Sequence, residues 1–260
     1  MKKKPSFYVV LGVLAAGLFC VLIIIGFMNR DGMIIRQQTD HFAFYCYKRE
    51  VRQIPALAEQ LEAVYTATLD DLGLKSAGTI AIIIHPSPED MRQALGQSAE
   101  ESLPAAALIQ GNIHICAQPA DAQLLKQALA YQVVRQMVRD TIGTDDTFAL
   151  SDALAAFEAQ GRDISAYLPG VSAEAAPSPS ILANAPATPY YEDYFRQPTS
   201  QYAYLYAAFL TYEEEGTGLL KTLRGGLPIK FKRATGYEEA QWDALWRGWL
   251  TQPGLYRSEQ

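Results

Sequence analysis

Four stretches of the chain carry residue patterns that predict β-strands. In residues 41–47, Phe and Cys side chains alternate with Ala and Tyr at a period of two, as in a strand. Residues 79–84 are largely β-branched and predict a buried strand. Residues 107–110 and 113–116 flank Gly111-Asn112, which favours a tight hairpin turn. We therefore expect a small sheet, mixed or antiparallel, in the first half of the chain.

Helical periodicity dominates the rest of the chain, because apolar residues recur at every third or fourth position. The predicted helices cover about residues 52–72, 120–141, 149–160, 201–215, 219–223, 229–235 and 237–250. Ser87 and Asp90 form a capping pattern that begins a further short helix. Strands followed by helices predict an α+β domain in which a small sheet is packed on a helical body.

Two aromatic stripes in the later helices are predicted to be core rather than a platform for a ligand. The first stripe contains Tyr202, Leu205, Tyr206, Phe209 and Leu210. The second contains Trp242, Leu245, Trp246 and Trp249. Each stripe follows helical spacing, so its side chains share one helix face and can be buried together.

The periodicity disappears between the two halves of the helical region. Residues 165–189 are rich in Ala, Pro and Ser and carry no periodic apolar pattern. This composition is typical of a long exposed loop, which we place at about residues 163–198. The acidic part of it, from Ala173 to Tyr194, is either a loop that docks a partner or a solvated tether. We favour the tether.

Composition narrows the functional classes. The chain has 260 residues, of which 49% are hydrophobic and 19% charged, as in ordinary globular proteins. A net charge of −6 opposes binding to phosphate backbones, so we expect no nucleic-acid partner.

Cys20 lies in an apolar N-terminal run. Cys46 and Cys116 are then either two buried thiols or one disulfide, and we favour thiols.

The apolar N-terminal run predicts a membrane anchor. Three lysines precede residues 7–28, an uncharged run of 22 residues that would be about 33 Å long as a helix. This length crosses a bilayer core of about 30 Å, and the lysines favour a cytoplasmic N-terminus. A cleaved signal peptide and a lipoprotein modified at Cys20 are disfavoured, because the run is long and bulky residues occupy the cleavage positions. We expect residues 1–32 to form a cytoplasmic tip and transmembrane anchor in a bacterial cell membrane, and residues 33–260 an extracytoplasmic domain.

The order of these elements, read with their local sequences, resembles the peptidase MA-like family, which has the gluzincin fold of thermolysin-like zinc metallopeptidases. The sequence FALSDALAAF at residues 148–157 is similar to the family's Trp-Leu-Ser-Glu-Gly-Leu-Ala-Glu-Tyr block. The strand at residues 113–116 is similar to the edge strand over the family's substrate cleft. A Tyr-rich helix ending in Gly216, residues 219–226 and a Trp-rich helix resemble its C-terminal part. The resemblance covers most of residues 40–251 and implies a gluzincin fold.

Active members of that family hold zinc with a His-Glu-x-x-His motif on one helix and a Glu on the next. The Glu of the motif takes a proton from the zinc-bound water. The positions that match the motif here are Ala128, Leu129 and Gln132 or, in the neighbouring register, Gln127, Ala128 and Tyr131. Asp152 matches the third ligand. Neither register supplies two imidazoles or a catalytic carboxylate, so the resemblance implies a degenerate member without zinc.

Our first hypothesis is therefore a catalytically inactive pseudopeptidase displayed outside the membrane. Its cleft would bind a peptide or protein partner, and the strand of Ile113, His114 and Ile115 would form the cleft edge and accept an extended segment. A further hypothesis stays open, in which the protein is a structural scaffold of the cell envelope without a specific partner.

The second hypothesis is an active zinc hydrolase with atypical ligands. It requires His114 or His85 to converge with Asp152 and another carboxylate. The sequence favours this hypothesis less, because His41, His85 and His114 are expected to lie apart from one another and no two of them are four residues apart.

Overall fold

The computed structural model describes residues 34–46, 52–119, 121–142, 149–183, 187–212 and 236–251. The predicted anchor at residues 7–28 and the predicted helices at 219–223 and 229–235 lie outside these ranges. Among the described helices, none is both long enough and apolar enough to cross a bilayer.

The described strands form a five-stranded mixed sheet. The strands are β1 (Ile34–Gln38), β2 (Phe42–Cys46), β3 (Ile80–His85), β4 (Ala106–Ile109) and β5 (Asn112–Cys116). Their order across the sheet is β1-β2-β3-β5-β4. The three inner strands β2, β3 and β5 run parallel, while β1 and β4 are antiparallel to their neighbours. Four of the five strands fall where the sequence predicts strands, and β1 was not predicted.

The helices follow the predicted order. They are α1 (Ile54–Leu72), α2 (Pro88–Leu95), α3 (Ala122–Ile142), α4 (Ala149–Ala159), α5 (Pro179–Ala183), α6 (Tyr191–Tyr194), α7 (Ser200–Tyr212) and α8 (Glu239–Thr251). The Ser87 hydroxyl accepts the backbone N–H of Asp90 at 3.2 Å, so the predicted cap of α2 is confirmed. The α+β class is confirmed by the sheet and the helices packed on it.

The main core lies between one face of the sheet and α3. Residues 128–138 of α3 are buried without interruption, so this helix is enclosed on all sides. It packs on α4, which in turn packs on α7. The aromatic stripes are buried as predicted, and the Trp242 indole donates a 2.8 Å hydrogen bond to the Tyr206 hydroxyl. Two members differ: Tyr202 is only partly buried, and 42% of the surface of Leu245 is exposed.

The hairpin between β4 and β5 turns one residue earlier than the sequence suggested. Ile109 pairs with Asn112, so the turn residues are Gln110 and Gly111 rather than Gly111 and Asn112. Both have positive φ, at 49° and 82°. A two-residue turn of this kind needs positive φ at both positions, and Gly111 supplies one of them without steric cost.

The predictions of an exposed loop at about residues 163–198 and of a solvated tether from Ala173 to Tyr194 are wrong for much of this segment. It contains α5 and α6, and it buries Ile164, Ala176 and Leu182 in the main core. Leu182 lies in α5, whereas Ile164 and Ala176 lie in irregular segments, so the three are separated by irregular intervals. Periodicity therefore could not reveal their burial.

Cys46 and Cys116 are thiols, as favoured from the sequence. Their strands, β2 and β5, are separated by β3. Cys46 belongs to the main core, whereas Cys116 packs with Met91 and Ala107 on the opposite face of the sheet. A disulfide across an intervening strand would require backbone movement, since neighbouring strands lie about 4.8 Å apart.

Candidate functional site

The residues that match the family's metal-binding positions lie together in the protein interior. Ala128, Leu129 and Gln132 occupy the enclosed middle of α3, and Asp152 lies in the first turn of α4. Each of the four is at most 1% exposed. The two helices therefore bring Gln132 and Asp152 close to one another, but inside the packed core rather than in an open cleft.

A residue that the sequence analysis missed, Arg135, joins these positions. Its Nε donates to Oδ1 of Asp152 at 2.8 Å, and its Nη1 donates to Oε1 of Gln132 at 3.0 Å. The Arg135 side chain is only 5% exposed and the Asp152 side chain 1%. One signal in the sequence could have found it: an arginine in a predominantly apolar stretch of helix is expected to have a partner if that stretch is buried.

Residues 187–195, which we call the closing segment, complete the site with backbone groups. The backbone N–H of Thr188 donates to Oδ2 of Asp152. The carbonyl of Pro189 accepts from Nε2 of Gln132 and from Nη1 of Arg135, both at 2.9 Å. Both carboxylate oxygens of Asp152 are thereby used, and the two helices and the closing segment share one hydrogen-bond network.

Aromatic packing holds the closing segment in place. Tyr131 donates its hydroxyl to the carbonyl of Thr188 at 2.8 Å, and its ring meets the ring of Tyr191 edge-on with centroids 5.7 Å apart. Tyr194 is fully enclosed beside them and donates to the carbonyl of Ser200 at 3.2 Å. The closing segment is therefore a fixed part of the fold, and Tyr191 and Tyr194 are core residues.

The site is electrostatically a single buried ion pair. Burial raises the pKa of Asp152 to about 6, against the opposing effects of the Arg135 guanidinium and the Thr188 N–H. Burial and the nearby carboxylate of Asp152 raise the pKa of Tyr131 well above its usual range, so its hydroxyl stays protonated. An arginine is always charged at physiological pH. The carboxylate of Asp152 thus faces a permanent cation supplied by the chain itself.

The donor set of this site does not fit zinc. Arg135 offers only N–H donors, Gln132 offers a neutral amide, and both oxygens of Asp152 already accept hydrogen bonds. Within the described ranges, no cluster of three or more His, Cys, Asp or Glu side chains is placed to hold a metal ion. A divalent ion at this position would also meet the guanidinium charge at close range.

The predicted cleft edge at Ile113, His114 and Ile115 is wrong. These residues belong to β5, which lies inside the sheet between β3 and β4, so its backbone groups are already paired. The outer strand of the described sheet on that side is β4, because after the hairpin β5 lies between β4 and β3. At the start of β4, the carbonyl of Ala106 accepts from Gln132 at 3.2 Å.

The histidines do not lie apart as expected. Nε2 of His85 and Nδ1 of His114 are 2.9 Å apart, so one ring donates a hydrogen bond to the other across neighbouring strands. His41 instead pairs with Glu62 of α1 at 2.6 Å. Ile113 and Ile115 face the core, so the alternation of β5 places His114 on the other face of the sheet. The histidine pair and Asp152 are therefore on opposite sides of the sheet.

Burial keeps this histidine pair neutral. It lowers the pKa of His114 to about 4, with a further contribution from the charge of His85. It also lowers the pKa of His85, against a raising effect of Asp90. A hydrogen bond between two imidazoles needs one N–H and one lone pair, so the arrangement excludes double protonation.

No family model matches the chain, and a search of curated proteins finds no match either. The resemblance to the peptidase MA-like family and the gluzincin fold therefore stay predictions. The residues of the site and their contacts carry the functional argument.

Proposed function

We propose that this chain is a membrane-anchored, catalytically inactive peptidase-like protein whose extracytoplasmic domain acts as a binding or scaffold module. The observation that carries the proposal is the position of Arg135. Its guanidinium binds Gln132 and Asp152, the residues that match a zinc-binding histidine and the third zinc ligand of the family. A fixed side-chain cation thus takes the place that a metal ion has in an active member.

Arginine suits this structural role and opposes catalysis. Its planar guanidinium matches carboxylate geometry, and it does not lose its proton at any physiological pH. It offers no lone pair to a metal and cannot act as a general base. Leu129 stands where the family carries its catalytic glutamate, so that position has no carboxylate to take a proton from water.

The surroundings of the ion pair also support a role that does not involve hydrolysis. Asp152 is 1% exposed, and the closing segment covers the ion pair through a contact of Thr188 with Asp152 and a contact of Pro189 with Arg135. A substrate would have to displace these backbone contacts before its scissile bond came near the carboxylate of Asp152. The network connects α3, α4, the closing segment and β4, which is what a rigid scaffold requires.

Metal content and peptide hydrolysis of the full chain in lipid nanodiscs test the proposal. After incubation with zinc and removal of unbound ions, we expect far less than one zinc per chain by elemental analysis. We expect no cleavage of a mixed peptide library under conditions in which thermolysin cleaves it. One tightly held zinc per chain, or cleavage that disappears in Asp152→Ala, would overturn the proposal.

Chemical cross-linking in the native membrane separates a binding module from a scaffold without a specific partner. A binding module gives one reproducible cross-linked partner that survives a high-salt wash. A scaffold gives a diffuse pattern that changes with protein abundance.

A further inference from the structure

The strand β1 carries two exposed isoleucines at the beginning of the described domain. Ile34 is 47% exposed and Ile35 is 52% exposed. Among the described residues, the other large apolar side chains with comparable exposure are Ile181 and Leu245, which lie on helices. A single exposed apolar side chain is ordinary, whereas adjacent ones form a surface that a partner can cover.

The two isoleucines lie on opposite faces of the sheet. Ile34 pairs with Cys46, whose side chain belongs to the main core, and Ile35 pairs with Tyr45. Residues directly opposite one another on antiparallel strands have their side chains on the same face, and successive residues alternate between faces. A partner that packed on one face of the sheet would therefore cover only one isoleucine. A contact that covers both must enclose the outer edge of β1 from both sides.

β1 is poorly suited to accept a further strand. It has five residues, its register with β2 shifts between Ile35 and Gln37, and the intervening Arg36 is exposed. A short strand, a bulge and an exposed charge are features that oppose pairing between sheet edges. They argue against a second copy of this chain as the partner, because two β1 strands would have to form a continuous ladder.

The position of β1 in the sequence favours the lipid surface as its partner. Five residues separate Ile34 from Met28, where the proposed membrane anchor ends. A linker of this length is at most about 20 Å long, and the interfacial layer on each side of a bilayer core is about 5–8 Å thick. The bilayer interface is therefore an apolar surface within reach of β1. Arg36 is the only charged residue of β1, and its cation suits an anionic headgroup.

We propose that the outer edge of β1 is embedded in the bilayer interface, with Ile34 and Ile35 at the acyl boundary and Arg36 at anionic phosphate headgroups. An interface encloses an immersed edge from both sides and requires no strand ladder, so it accounts for both isoleucines and for the bulge. The inference rests on the membrane anchor of the proposed function and is independent of whether the domain is catalytically inactive.

This contact would fix the orientation of the domain. The sheet would stand edge-on to the membrane, with β4 farthest from it. Four strand spacings of about 4.8 Å separate β1 from β4, so β4 would lie about 19 Å farther from the lipid. The closing segment lies beside β4, since Glu192 accepts the backbone N–H of Ala105 at 2.6 Å. A partner of the binding module would therefore meet this distal edge first.

Fluorescence quenching by spin-labelled lipids tests the inference on the full chain in nanodiscs. Ile34→Cys and Ile35→Cys, each combined with Cys20→Ser, are labelled with a nitrobenzoxadiazole maleimide, while Cys46 and Cys116 stay buried. Each nanodisc holds one chain and equal parts of phosphatidylcholine and phosphatidylglycerol, so a second copy cannot supply the contact. We expect lipids with a nitroxide near the headgroup to quench both labels at least about twofold.

Two further variants make the test specific. Ile181→Cys is the matched control, because Ile181 is 57% exposed but lies on α5, which packs against α4, α7 and α8. Its label should not be quenched. Arg36→Gln should reduce the quenching of the label at position 35 in nanodiscs with phosphatidylglycerol, and should leave it unchanged in phosphatidylcholine alone.

A label on the native Cys20 reports separately on the anchor, because Cys20 lies inside the apolar run at residues 7–28. If a nitroxide deep in the acyl region fails to quench it, the proposed anchor and the β1 contact are both overturned. If Cys20 is quenched but the label at position 34 or 35 is not, only the β1 contact is overturned. Equal quenching of the label at Ile181 would also overturn it, because the contact would not be specific to β1.

Discussion

The two faces of the sheet each cover a buried polar pair, and the two pairs are built differently. On the helical face, Arg135 and Asp152 are charged and receive further partners from Gln132 and from the backbone of the closing segment. On the other face, His85 and His114 bind one another. A buried charge is tolerated where several elements supply partners, whereas the histidine pair stays neutral. The difference predicts opposite responses to mutation and to pH.

Removing the cation of the helical face should have the largest effect. Arg135→Met leaves the Asp152 carboxylate buried without its charged partner, and we expect a loss of about 3–5 kcal/mol in the free energy of unfolding. Urea titration of the full chain in detergent measures this loss through tryptophan fluorescence, because all three tryptophans lie in α8. Arg196→Met, at an exposed ion pair, is the control and should change stability by less than about 0.5 kcal/mol. A loss below about 1 kcal/mol for Arg135→Met would contradict the account.

Removing both charges should restore most of that stability. Arg135→Met combined with Asp152→Leu replaces the ion pair with apolar side chains of similar size, which is often close to neutral in a packed core. We expect the double variant to be more stable than Arg135→Met alone by about 2 kcal/mol or more. The same urea titration measures the coupling between the two sites. Additive losses would show that Arg135 and Asp152 do not act as a pair.

The histidine pair should make the protein sensitive to acid. The lowered pKa values mean that the unfolded chain binds more protons than the folded chain below about pH 6.5. Stability contributed by the pair is therefore complete above pH 6.5 and is lost as the pH falls toward 4. Asp152 acts in the opposite direction over pH 4–6, because its pKa is raised, so the effect must be isolated by a variant.

His114→Gln isolates the contribution of the pair. The difference in unfolding free energy between wild type and variant should shrink between pH 7 and pH 4, by about 1–2 kcal/mol once solvent screening of the half-buried ring is allowed for. Parallel urea titrations across this range measure it. A difference that stays constant with pH would show that the histidines titrate alike in the folded and unfolded chain.

The smallest predicted effect concerns the neutral member of the ion-pair network. Gln132→Leu removes hydrogen bonds to the carbonyls of Ala106 and Pro189 and to Arg135, and we expect a loss of about 2 kcal/mol. Gln127→Leu is the matched control on the same helix, since its amide makes one long contact of 3.4 Å with Gln160. Equal losses for the two variants would show that the network adds nothing at Gln132.

The sequence predicted the elements of the fold well because their signals are local. Three of these signals each act within one element, and the structure confirms them. They are the periodicity of residues 120–141, the β-branched run at 79–84 and the Ser87 cap. The interior position of β5 was missed, because strand order depends on how distant strands pair. The burial of the closing segment was missed for a related reason, since Thr188 and Pro189 contribute backbone groups rather than a side-chain pattern.

The candidate site was predicted in part. The sequence placed Gln132 and Asp152 at matching positions, and the structure brings them to one guanidinium. It could not predict that His85 and His114 meet, because their contact depends on the register between β3 and β5. Arg135 was within reach of sequence reasoning, since it lies three positions after Gln132 on the same helix and a buried arginine requires a partner.

The central claim is that the Arg135 guanidinium, and not a zinc ion, occupies the site between α3 and α4. The most direct test is a crystal structure of the protein grown with zinc. Diffraction data are collected on both sides of the zinc absorption edge. The account predicts the Arg135 guanidinium within hydrogen-bond distance of Asp152 and no anomalous peak between α3 and α4. An anomalous peak beside Gln132 and Asp152, with the side chain of Arg135 turned away, would contradict it.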